Sequence, residues 1–200
     1  MDRNVWPAAL RTVVGFLAGL ACWMALSPSY ARLLATLSEP LLRMSEIPAV
    51  TRLVPDGKNI VVERTDFPKR SARPELQPED LTFNIILLMT LFAMNSSPLS
   101  TRNVSGFLAA AGILCVTHVL ALFVTIKSIY ALQLGHWSLA HYGYYSRSFW
   151  SGAAHFYRLI GLYAIAFGLW WLLRPPESSA GAGGSGKRKR QRKSKRTASR

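Results

Sequence analysis

The sequence predicts an all-α integral membrane protein: four transmembrane helices, a small extracytoplasmic insert of one helix plus a β-hairpin, and a disordered basic C-terminal tail. Three observations lead there. Half of the 200 residues are apolar and only 17% are charged, too little charge to surround a water-soluble core of this size. Uncharged runs of bilayer length recur, since about 20 mostly apolar residues cover roughly 30 Å of hydrocarbon. Charge is also segregated, for of 24 Lys+Arg against 10 Asp+Glu, residues 174–200 hold ten basic and one acidic. This pattern excludes a cytosolic globular enzyme. Cys22 and Cys115 both lie inside apolar runs, which excludes a disulfide-stapled secreted domain.

Residues 1–11, with Arg3 and Arg11, form a short cytoplasmic N-terminus ahead of the first span at 12–31, which contains TVVGFLAGLACWMAL. A cleaved signal peptide is the competing account of this span. Its cleavage site would fall near Ser29-Tyr30-Ala31, where the small-residue pattern is poor and Pro28 intrudes. Gly19 stands three residues before Cys22, where a lipoprotein site needs an aliphatic residue. Gly15 and Gly19, four apart, permit close approach to another helix, in this chain or a partner.

Residues 32–80 are extracytoplasmic and hold eight basic and eight acidic residues. Tyr30, Leu33, Leu34, Leu37, Leu41, Leu42 and Met44 recur at helical spacing, predicting an amphipathic helix on the outer surface, broken or kinked at Pro40. Two β-branched runs then flank Pro55-Asp56-Gly57, and Asp-Gly supplies the positive φ angles of a tight hairpin. A lone hairpin is marginal in water, so it must rest on the helix, the bilayer or a partner. Pro68, Pro74 and Pro78 mark residues 67–80 as an extended connector.

Three further spans are expected at 81–97, 103–126 and 150–173. Residues 127–149 carry too many Gly, His and Tyr for another span and read as an aromatic loop or re-entrant stretch. Residues 174–200 form the tail, with a Gly/Ser linker before Lys187, Arg188, Lys189, Arg190, Arg192, Lys193, Lys195 and Arg196. Clustered positive charge resists translocation, so the C-terminus is cytoplasmic and an even number of spans puts the N-terminus beside it. The tail is a topology anchor that touches anionic lipid. No aromatic residue interleaves its charges as stacking on nucleic-acid bases requires.

Polar groups inside a membrane are expensive, so each is a functional candidate until a structural role explains it. Under this topology Asn84, His118, His155 and Arg158 lie at one depth just below the outer surface, with His136 and His141 in the loop above. These four form the candidate buried polar cluster or partner contact. Arg158 is expected to be satisfied by carbonyls, Asn84 or a tyrosine hydroxyl. Cys115 lies three residues before His118, so Cys115, His118 and Arg158 make an alternative, activated-thiol site. Four histidines at one level also raise zinc. The spacing of His136 and His141 matches no helical ligand pair, and no carboxylate lies in the outer half of the spans, so no metal or other cofactor is expected.

The first span, the segment IPAVTRLVPDGKNIVVERTDF, the paired span opening with LTFNIILLMTLFAMNSSPLSTR and the closing AHFYRLIGLYAIAFGLWWLL resemble the small membrane proteins associated with bacterial exosortases, in particular the exosortase H type. The resemblance covers about residues 10–173 and rests on arrangement and diffuse motifs. Exosortases are intramembrane thiol enzymes with Cys, Arg and His in that chain order; here no histidine follows Arg158. The resemblance therefore implies a non-enzymatic accessory protein of an exosortase-type sorting system in a bacterial inner membrane, partnered with the sorting enzyme. The alternatives are a Cys115-dependent sorting peptidase or transpeptidase of the same pathway, and a small transporter or channel subunit whose polar level lines a pathway.

Overall fold

The computed structural model describes residues 5–46, 50–67, 73–95 and 97–175, with side chains described from Ala8 onward. The positions expected to form the basic tail, Lys187 to Arg196, lie outside the described residues. Among the described residues three helices are long and apolar enough to cross a membrane: Ala8–Met44, Thr101–Leu132 and Tyr144–Leu173.

Helix α1, Val5–Met44, runs unbroken through Pro28 and Pro40. The expected break at Pro40 and separate surface helix are absent because Leu34, Ala35 and Leu42 on that stretch are buried in the sheet-side core. Packing of an apolar face outweighs the one backbone bond each proline removes. Strands β1 (Arg52–Asp56) and β2 (Asn59–Glu63) form the expected hairpin, with Asp56 opposite Asn59 and Gly57 at φ 59° in its turn. The connector contributes a third strand, β3 (Glu75–Leu76), which pairs antiparallel with Ile60 and Val61. Leu53, Ile60, Val62 and Leu76 point from this sheet into the core.

The segment expected as a span at 81–97 is covered by two short helices, α2 (Glu79–Thr82) and α3 (Asn84–Ala93). Ten residues of α3 rise about 15 Å, half a hydrocarbon core. It is wedged between α1 and the last helix. At Gly15 an added Cβ would collide with Ala93, and at Gly19 it would meet Met89 at 3.4 Å, so the glycine pair packs within this chain. Ser100 caps helix α4 (Thr101–Leu132). Asn103 binds the carbonyls of Phe92 and Pro98 at 3.1 and 2.8 Å, holding the α3–α4 link.

Residues 127–149 are mostly helical. They comprise the end of α4, the short helix α5 (His136–His141) and the start of α6 (Tyr144–Phe156). A π-helical turn, Tyr157–Gly161, joins α6 to α7 (Leu162–Leu173). Two apolar clusters form the interior. Leu42, Ile60, Leu122 and Ile126 lie on the sheet side, and Leu88, Phe92, Leu114 and Leu169 lie on the opposite side. On α4, Leu114 belongs to one and Leu122 to the other, with His118 one turn from each.

Candidate functional site

Between these clusters runs a chain of hydrogen bonds that touches all the long helices. The Tyr30 hydroxyl on α1 is 2.7 Å from His118 Nδ1, and His118 Nε2 is 2.8 Å from Asn84 Oδ1. Asn84 Nδ2 donates to the Leu162 carbonyl on α7 at 3.0 Å. The carbonyl can only accept, which fixes the amide: Nδ2 faces Leu162 and Oδ1 faces the imidazole. His118 Nε2 therefore carries the proton and Nδ1 accepts from Tyr30. His118 and Asn84 are fully buried, yet every bond in the series has one donor and one acceptor with the imidazole neutral. Next to it, Tyr157 donates to the Leu81 carbonyl at 3.2 Å.

Of the four residues expected in the buried polar cluster, Asn84 and His118 are brought together. His155 and Arg158 are exposed and stand outside it; His155 Nδ1 donates to the Ser151 carbonyl at 2.8 Å. The π-turn is the reason. In a regular α-helix Ala154, Arg158 and Leu162, four apart, would share one face. The wider turn over 157–161 shifts the register, so that Tyr157 points toward the bundle between buried Ala154 and Gly161 while Arg158 turns outward. Arg158 is thus satisfied by neither Asn84 nor a tyrosine.

Cys115 is half-buried and borders the Tyr30 hydroxyl. Both nitrogens of His118 are already engaged, by Tyr30 and Asn84, so no imidazole nitrogen is left to take the thiol proton. His136 and His141 bound α5, and His141 stacks on Trp137 at 4.3 Å with Nδ1 against the Trp137 carbonyl. Among the described residues no group of three or more His, Cys, Asp or Glu side chains could hold a metal ion.

A second polar centre, not singled out by sequence, ties the sheet to the end of α4. The Arg64 guanidinium is 2.8 Å from Asp66 Oδ1 and 2.9 Å from Oδ2, and 2.8 Å from Glu46. Phe67, Tyr130 and Trp137 surround it within 5.9 Å. Thr51 Oγ1 donates to Glu46 at 2.5 Å and accepts from Arg64 at 3.2 Å. With its proton given to Glu46, it also accepts from the Tyr130 hydroxyl at 3.0 Å. Lys127 Nζ, 3.6 Å from Glu46, completes a neutral set of two acids and two bases. Burial works against the Arg64 cation, but its hydrogen bond to Asp66 and the charges of Glu46 and Asp66 more than offset it. The same hydrogen bond holds the Asp66 carboxyl below the usual carboxylate range. Lys127 closes the apolar run of α4, and its ion-pair partner Glu46 is 81 residues away in sequence, beyond the reach of any local pattern.

No protein-family model matches the sequence, and no curated protein and no solved structure matches it either.

Proposed function

We propose that this chain is a non-enzymatic accessory membrane protein of an exosortase-type protein-sorting system, with both termini in the cytoplasm and the sheet outside an inner membrane. The observation that carries the non-enzymatic reading is the closed hydrogen-bond series Tyr30–His118–Asn84–Leu162, which spends both imidazole nitrogens on holding helices together. A thiol enzyme needs a base within hydrogen-bond reach of its nucleophile, and this imidazole has no free nitrogen. The sorting context rests on the resemblance of the layout over residues 10–173.

In this reading α3 crosses with its neighbours as the short member of a four-helix set, which makes the span count even. The folded sheet, held on α1 and α4 by the Arg64 centre, presents the surface that meets the sorting enzyme. The basic tail anchors topology and touches anionic lipid.

One observation favours the alternative of a Cys115-dependent sorting enzyme: the thiol borders Tyr30, itself linked to His118. Cys115→Ala, with processing of a C-terminally tagged substrate scored in cells, separates the two. Unchanged processing is expected. Loss of processing at normal protein level would overturn the accessory reading. A reporter fused after Arg200 should be retained inside the cell; export of that reporter would overturn the topology.

A further inference from the structure

Arg158 and Asp80 carry opposite charges and line the same two cavities, yet neither makes an ion pair with the other or with any other described residue. Glu79, beside Asp80, is already taken: Ser27 Oγ donates to it at 2.7 Å and Lys58 lies 3.3 Å away. An arginine exposed on the side of a membrane helix without a partner is costly unless it meets something at the interface.

Its depth says what it meets. Arg158 stands at the sheet-side end of an apolar run that continues to Leu173 without another charge. The Arg158 side chain lines a cavity with Glu75, Gln77 and Asp80, which belong to the last strand of the sheet and the segment after it, so it reaches away from that run toward the polar layer. Arg158 therefore lies at the level of lipid phosphates on the sheet side.

The two cavities differ in chemistry and in height. One, of about 370 Å³, opens toward the sheet and is walled by Gln77, Ser128, Gln133 and His155 as well as Asp80 and Arg158. The other, of about 570 Å³, descends from the same two charges between α1, α3 and α7, along Leu20, Trp23, Ile86 and Tyr163. The upper chamber, walled by polar and apolar side chains alike, and the more apolar groove below share Arg158 and Asp80, with Glu75 adding an acid to the chamber and Glu79 one to the groove.

We propose that the pair of cavities is a seat for one glycerophospholipid of the phosphatidylethanolamine class, with its phosphate on Arg158, its ammonium on Asp80 and an acyl chain in the groove. Charge complementarity selects this occupant. A net-anionic head group would answer Arg158 but leave Asp80 facing further negative charge beside Glu75 and Glu79. A choline head group carries the positive charge but has no N–H to donate to Asp80. The seat is independent of any role in sorting.

The test uses the full chain reconstituted in nanodiscs containing equal parts of phosphatidylethanolamine, phosphatidylcholine and phosphatidylglycerol. After extraction into mild detergent and washing, the retained lipid is quantified by mass spectrometry. Phosphatidylethanolamine should be enriched about tenfold over phosphatidylcholine, the difference one charge-assisted hydrogen bond makes. Asp80→Asn should erase that preference, Arg158→Gln should lower retention of all three, and Arg174→Gln should change neither. Because Asp80 is exposed, Asp80→Asn leaves the interior packing intact, and the wild-type ratio is decisive by itself. Equal retention of the three lipids, enrichment of phosphatidylglycerol, or an unchanged ratio in Asp80→Asn would each overturn the proposal.

Discussion

Replacing Asn84 by Leu, a change of small volume, tests whether the hydrogen bonds between Tyr30 and Leu162 hold the helices together. The variant loses the bond to the Leu162 carbonyl and the one from His118, whose Nε2–H is left without a partner in a site with no solvent exposure. Side-chain bonds between membrane helices average about 0.6 kcal/mol and reach about 1.7, and a buried donor left unsatisfied adds about 1–3 kcal/mol. Asn84→Leu should therefore cost about 2–4 kcal/mol. Tyr30→Phe removes one bond and leaves only an acceptor unpaired, so about 1 kcal/mol is expected. The two act through the same imidazole. Because both bonds end on one imidazole that has a single proton, the double variant should depart from additivity by about 0.5 kcal/mol or more. Unfolding by sodium dodecyl sulfate in mixed micelles, followed by tryptophan fluorescence, reads this directly because Trp23 packs on Tyr30 at 5.6 Å. A cost for Asn84→Leu below about 0.5 kcal/mol, or additivity within about 0.3, would refute the reasoning.

Arg64→Ala leaves the buried Glu46 carboxylate with Lys127, 3.6 Å away, as its remaining cation and should destabilise the fold by about 3–5 kcal/mol in the same assay; Arg64→Lys should recover only part, because an ammonium cannot grip both Asp66 oxygens. Gly15→Val drives a side chain into Ala93 and should cost about 1–3 kcal/mol by separating α1 from α3, whereas Gly112→Ala, with open space around it, should be neutral. Acid should loosen the sheet. Asp66 and Glu79 both have depressed pKa values, Asp66 through Arg64 and Glu79 through the Ser27 hydroxyl ahead of Lys58. Their stabilisation is complete above the unfolded carboxylate range of about 4 and is lost as pH falls through the lower folded values. Trp137 fluorescence should report this transition below about pH 4, and Asp66→Asn should weaken it.

Features carried by local pattern were legible in the sequence. Apolar runs announced the three long helices, Asp56-Gly57 announced the hairpin turn, and the Gly15/Gly19 pair announced a close helix contact. Asn84 and His118 stood out because each is a polar side chain in an apolar run. What could not be read was set by distant packing. Pro40 signals a break or a kink, but Leu34 and Leu42 on either side are drawn into one core with the sheet, and that burial keeps α1 helical through it. Tyr30 was counted as one apolar position among several, since only the fold brings its hydroxyl to a histidine 88 residues later. The Arg64 centre was invisible for the same reason.

The placement of Arg158 depends on five residues whose sequence, YRLIG, announces no irregularity. Hydrogen bonds fix the π-turn on both sides: Tyr157 at its start donates to the Leu81 carbonyl, and Leu162 just past its end accepts from Asn84. Both partners belong to the α2–α3 segment, so that short unit sets the register of the last helix above and below the wide turn. Without the extra residue, Arg158 would occupy the face now taken by Tyr157 and bring a cation against His118 and Asn84, whose donors and acceptors are already matched. An uncompensated charge there would cost far more than the irregular turn. The same shift that keeps the interior chain neutral is what delivers Arg158 to the surface beside Asp80, so the polar centre inside the bundle and the charged cleft outside it arise from one departure from helical regularity.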